Sequence, residues 1–189
     1  MGADVFDRRG SRKYLNAAER QAFYQATTIE TDKMRRAFCL ALFYTGCRIS
    51  EALNLTAGRI DFSEKALVFE TIKRRKHGVF RSVPIPDSLV EMLREIQIEV
   101  CPTGRVWKFS RTTGYRFIKE CMIRANVHGN MATAKGLRHA FGIVCIAKNV
   151  PLSTIQKWMG HADMRTTAIY LEVAGDEERN LAKRTWPEP

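Results

Sequence analysis

"ALVFETIKRRKHGVFRSVPIP", residues 66–86, interrupts a chain that otherwise carries helical spacing. Its two arms, residues 66–72 and 79–85, are rich in β-branched and aromatic side chains, and a charged turn with Gly78 separates them. That pattern predicts a β hairpin, with Pro84 and Pro86 closing the second strand. Upstream, Asn16 followed three residues later by Glu19 makes a capping box for a helix through "AAERQAFYQATT". Asp32 caps a second helix, "KMRRAFCLALFYT", which is apolar on nearly all sides and therefore central. Gly46 ends it, leaving Arg48 at the junction to a short helix in "SEALNL".

Helical spacing resumes after the hairpin. Leu89, Leu93, Ile96 and Val100 share one stripe over residues 87–100, and "RTTGYRFIKECMIRANV", residues 111–127, predicts another helix. Leu137, Phe141 and Val144 mark a further one. Leu152, Ile155 and Met159 mark the next, with Pro151 in its first turn and Gly160 at its end. Asp163 is placed to cap a last helix carrying Tyr170. Many helices around one small hairpin make the fold α+β, mostly α. The chain divides into a flexible basic lead-in over residues 1–13, one domain over 14–174 and a charged tail over 175–189.

The charge indicates a polyanionic partner. The 189 residues carry a net charge of +11, and residues 73–81, "KRRKHGVFR", hold five Lys or Arg in nine positions. Nucleic acid fits this better than a membrane surface. The longest apolar run, "AFCLALFY" at 37–44, is far too short to cross a bilayer, and the first residues lack the apolar core of a signal peptide. Five scattered cysteines without a CxxC pair predict reduced thiols and a cytoplasmic setting. The four histidines, at 77, 128, 139 and 161, lack the spacing of a metal site, so neither metal nor cofactor is expected.

Four stretches together hold the parts of one reaction. They are "TGCRISEAL" with Arg48, "TIKRRK" with Lys73, "KGLRHAFG" with Lys135, Arg138 and His139, and "MGHADMRTTAIY" with His161 and Tyr170. Attack of a tyrosine on a DNA phosphodiester needs guanidiniums to clamp the phosphate oxygens. The phenol, with a pKa of roughly 10, must lose a proton, and the departing sugar oxygen must gain one. Each residue also has a plainer reading. Arg48 could simply pair with Glu51, His161 could be a polar helix end, and Tyr170 borders two apolar stripes, so periodicity leaves its role open.

The motifs, in this order, resemble the catalytic domain of the tyrosine recombinases, the phage integrase family, over residues 14–174. The resemblance implies that fold, and it implies a site-specific recombinase that cuts and rejoins DNA through a 3′-phosphotyrosyl bond without metal or ATP. It assigns Arg48 and Arg138 to the phosphate, Lys73 to protonation of the leaving 5′ oxygen, His161 to a phosphate hydrogen bond and Tyr170 to the attack. Glu51 and His139 take supporting roles. Arg74, Arg75, Lys76 and Arg81 are expected to contact DNA. Lys135 stands where the family usually has histidine, either as a third cation on the phosphate or as a base made available by nearby Arg48 and Arg138.

Double-stranded DNA is the implied partner, with self-association into a dimer or tetramer. The tail either frays or docks on a neighbouring subunit through Trp186. Because nothing before residue 14 resembles a second clamping domain, the expectation is a fragment or a small one-domain member with salt-sensitive DNA binding. Two other readings compete. One is a type IB topoisomerase-like enzyme that rejoins the same strand. The other is a catalytically silent DNA-binding protein.

Overall fold

The computed structural model describes residues 5–71, 78–97, 101–173 and 185. Helix α1 (Ala17–Thr28) starts on the reciprocal Asn16–Glu19 cap: each side chain accepts the other residue's backbone N–H, at 2.8 and 2.9 Å. Helix α2 (Lys33–Thr45) starts on Asp32, whose carboxylate accepts from the N–H groups of Met34 and Arg35. Buried from Ala37 to Phe43, α2 forms the centre of the core, packed by α1, α4 (Asp87–Gln97), α5 (Arg111–Arg124) and α6 (Ala134–Ala147). Short α3 (Ile49–Leu53) follows α2 after one tight turn, and α7 (Leu152–Met159) leads to the four-residue α8 (Arg165–Ala168). The fold is α+β and mostly helical.

The hairpin is present and belongs to a three-stranded antiparallel sheet. Strand β1 (Ile60–Asp61) pairs β2 (Ala66–Glu70), which pairs β3 (Phe80–Pro84) with Ala66 opposite Pro84 and Glu70 opposite Phe80. Two-residue β1 is too short to leave a periodic signal in the sequence. Alternation along β3 turns Arg81 and Val83 inward and leaves Phe80, Ser82 and Pro84 less buried. Lys73, Arg74, Arg75, Lys76 and Trp186 lie outside the described residues, as does Val100.

Two other expectations are corrected. The last helix ends at Ala168, so Tyr170 sits in the following turn, its N–H donating to Thr167 O at 3.1 Å. Asp163 accepts from Arg165 N at 2.9 Å, but the N-cap of this one-turn helix is Met164, so Asp163 stands one residue outside the cap position. Residues 5–13 are built into the fold, contrary to the expected flexible lead-in. Val5 O accepts from Lys13 N, Phe6 bridges Arg12, and Arg12 pairs with Glu19. Val5 is fully buried in a second apolar cluster with Phe141, Cys145, Ile155, Met159, Tyr170 and Val173. A single apolar residue meeting a pocket assembled from distant elements leaves no local signature.

Gly46, the C-cap of α2, holds φ at +57°, and a Cβ there would come within 2.4 Å of the Phe141 ring. Left-handed backbone and ring contact both demand glycine. Gly46→Ala should therefore cost about 2–4 kcal/mol of stability, read as a lowered denaturant midpoint at unchanged slope.

Candidate active site

Five segments converge: the α2–α3 turn, β3, the first turns of α6, the end of α7 and the turn after α8. Arg138 links two of them directly. One guanidinium nitrogen donates to Gly46 O at 2.6 Å and another to Met159 O at 2.7 Å. Those carbonyls lie two residues before Arg48 and two before His161. Arg48 caps α3 from outside, and Glu51, three residues on, accepts both its N–H (2.8 Å) and its guanidinium (2.7 Å). The Glu51 side chain is fully buried, whereas that of Arg48 keeps 23% of its surface exposed and so can still meet a ligand.

Arg81 turns inward from β3. Its side chain is 4% exposed, and its guanidinium donates inward to Glu51 (2.6 Å), Trp158 O (2.7 Å) and Thr71 Oγ (3.2 Å). The expectation that it contacts DNA is replaced by this buried role. Alternation with Val83 was the signal available in the sequence, since two residues apart on a strand share a face. Lys135 is exposed on the first turn of α6, one turn ahead of Arg138 and so on the same side of the helix.

His161 and Tyr170 are both buried. His161 Nδ1 lies 2.9 Å from Thr167 Oγ, and its ring stacks at 27° to that of Tyr170. Burial, with the Arg138 and Arg48 charges adding to it, pushes the imidazole down to about 3, so it is neutral at physiological pH. The Tyr170 hydroxyl lies 3.2 Å from His139 Nδ1. Burial raises the phenol to about 12, against the opposing pull of Arg138 and Arg48. Its ring rests on α6, where a Cβ on Gly142 would come within 2.4 Å of it. Burial and the neighbouring Arg48 also bring Arg138 down to about 10, still charged at neutral pH. For Glu51, burial favours the neutral acid, but the Arg81 and Arg48 charges outweigh it and hold the carboxyl below its ordinary value.

Arg48, Glu51, Arg138, His139, His161 and Tyr170 thus share one pocket, and Thr167 and Gly142, which the motif reading did not single out, complete it. Among the described residues, no three His, Cys, Asp or Glu side chains gather as a metal ion would require, and no helix is long and apolar enough to cross a membrane.

The fold, and the order in which the chain supplies two arginines, a histidine and a tyrosine, match the catalytic-domain class of the tyrosine recombinases. Residues 13–177 match the model of the phage integrase family, and the chain belongs to that family. It is 30% identical over 185 residues to a tyrosine recombinase of Thermosipho africanus, covering 94% of this chain and 63% of the relative. It is 30% identical over 168 residues to tyrosine recombinase XerA of Pyrococcus furiosus, covering 82% and 56%. The chain therefore spans between half and two thirds of the length of these curated relatives. In fold it is similar to the XerH site-specific recombinase in a pre-cleavage complex with its difH substrate, with a TM-score of 0.74, 21% identity, and coverage of 94% of this chain and 59% of that one. The catalytic domain of bacteriophage HP1 integrase aligns with a TM-score of 0.63 at 20% identity, over 90% of this chain and 93% of that one.

The depressed His161 value carries a sign that can be measured. The unfolded imidazole takes up a proton near its ordinary pKa of roughly 6.5 while the folded one does not, so this group's contribution to stability is complete above that pH and is lost below it. A ring-nitrogen NMR titration should show no His161 inflection between pH 5 and 8. Folding stability should fall on acidification below roughly 6.5 by up to about 1.4 kcal/mol per pH unit from this group.

Proposed function

We propose that this domain is a site-specific DNA recombinase that cleaves and rejoins strands through a 3′-phosphotyrosyl intermediate. Double-stranded DNA is its partner, and two or four copies assemble on it. One observation carries the reading. Arg138 hydrogen-bonds the segments bearing Arg48 and His161, and Tyr170 stands stacked on His161 in the same pocket.

A phosphodiester entering past the exposed part of Arg48 meets the Arg48 and Arg138 guanidiniums, which take its non-bridging oxygens. Neutral His161 donates a hydrogen bond from its second ring nitrogen, the first being engaged with Thr167. The Tyr170 oxygen then attacks phosphorus. An O–P bond forms, the bond to the 5′ oxygen breaks, and the phenol proton passes to water or a phosphate oxygen. Lys73 is assigned to protonate the leaving 5′ oxygen on its place in the motif alone. Attack by a 5′ hydroxyl of another strand reverses the step and frees Tyr170. Lys135, exposed one turn before Arg138, serves as a third cation on the phosphate.

The test is a duplex nicked so that the cleaved strand is lost, run on a denaturing gel for a covalent protein–DNA adduct. Wild type should form the adduct. Tyr170→Phe should form none while still binding DNA, and Arg48→Ala or Arg138→Ala should slow it by about 10²–10³-fold. Unchanged behaviour of Tyr170→Phe would leave a silent DNA-binding protein. The role of Lys135 is separated by pH: as a cation only, it predicts the same pH profile in wild type and Lys135→His above pH 8. A wild-type rate that climbs there while the variant stays flat would make the lysine a base.

A further inference from the structure

Arg81 is a buried cation beside His161, its side chain 4% exposed. It enters from β3, on the sheet, yet all three of its guanidinium nitrogens are used on other segments. Nη2 takes the same Glu51 oxygen that accepts the Arg48 N–H, while the other carboxylate oxygen holds the Arg48 guanidinium. Nε takes Trp158 O, three residues before His161. Gly160 lies against the guanidinium so closely that a Cβ there would stand 2.9 Å from Cζ. The seat is therefore shaped for a planar fork.

We infer that Arg81 is a positioning residue, whose buried guanidinium fixes the Glu51 carboxylate in the orientation that aims Arg48 at the phosphate. A carboxylate with no exposed surface is costly unless paired. Arg48 alone cannot supply that pairing and also stay turned toward a ligand. With Arg81 satisfying one oxygen from inside, Glu51 remains ionised and presents its second oxygen to Arg48. The charged and titratable groups around Glu51 are Arg48 at the N-cap of α3, Arg81 on β3, Arg138 on α6 and the Cys47 thiol before α3. Of these, Arg81 acts on it most strongly.

This inference rests on the strand-cleavage reading, and adduct formation on the nicked duplex at saturating DNA tests both. If Arg81 works through Glu51, Arg81→Met should slow the adduct by about 10²-fold at pH 6.5. The ratio of variant to wild-type rate should recover toward pH 9 as the unpaired carboxyl ionises again. Glu51→Gln should show a loss with no such recovery. The double variant should be no slower than Glu51→Gln by more than roughly threefold, because residues acting as one unit do not add. Arg81→Lys keeps a charge beside Glu51 and should lose less rate, with no pH trend; it supplies the comparison if Arg81→Met does not fold.

DNA affinity and its salt dependence should match wild type throughout. A salt slope reduced by about one phosphate contact would instead make Arg81 a DNA ligand and overturn the inference. So would a pH-independent loss in Arg81→Met, or losses that multiply in the double variant. If wild type itself forms no adduct, the strand-cleavage reading fails. The pairing is then judged alone by a carbon NMR titration of the Glu51 carboxyl, which should ionise at higher pH in Arg81→Met than in wild type; equal titration would refute it.

Discussion

The pocket depends on two guanidiniums seated on helix carbonyls that have no partner within their own helices. The last turn of any helix leaves its C=O groups without intrahelical donors, and cations are favoured there. At the end of α2 that need falls on Gly46, and at the end of α7 on Trp158 and Met159. Arg138 takes Gly46 and Met159, and Arg81 takes Trp158. Both helices stop on a left-handed glycine, which turns the chain so that Arg48 and His161 come next. The devices that end the helices are therefore the devices that place Arg48 and His161.

This construction leaves the pocket short of negative charge. Among the described residues, Arg48, Arg81 and Arg138 gather around one buried carboxylate, Glu51. Burial first, with the neighbouring arginine charges adding to it, drives His161 far below the ordinary imidazole range and makes Arg138 hold its proton less firmly than a solvated guanidinium. A bound phosphate would relieve both. Guanidiniums already ordered by backbone carbonyls need little reorganisation when charge accumulates on the phosphate oxygens, which is the condition under which such groups accelerate a reaction.

Much of this was legible in the sequence, and the parts that were not have specific causes. Helices α1 and α2 begin and end where Asn16, Asp32 and Gly46 place them, because caps act over three or four residues. Arg48, Arg138, His161 and Tyr170 could be grouped by motif, although no local rule shows that Arg138 bridges the other two segments. A basic run beside a turn looks like surface, whereas strand alternation buries every second residue of β3, Arg81 among them. The extent of α8 was overestimated. Tyr170 is held by contacts with His139 and Gly142, distant in sequence, and with His161, nine residues back, and not by continuation of a helix. Val5 was missed for the same reason.

The seat of Tyr170 also sets an energy scale for the chemistry. A phenol raised to about 12 lies two units above its ordinary value, equivalent to about 2.7 kcal/mol against ionisation where it stands. Withdrawing the ring from its small cluster forfeits about 2 kcal/mol of apolar burial and about 1 kcal/mol for the His139 hydrogen bond. Both quantities are consequences of the seat: ionisation is disfavoured while the ring stays buried, and packing is lost when it leaves. The cluster it leaves is a satellite of the main core, formed by α6, α7, Val5 and the turn after α8, and elements held by few buried contacts are the ones that open at low cost. A tyrosine seated there is shielded from water, in a cluster separate from the one built around α2.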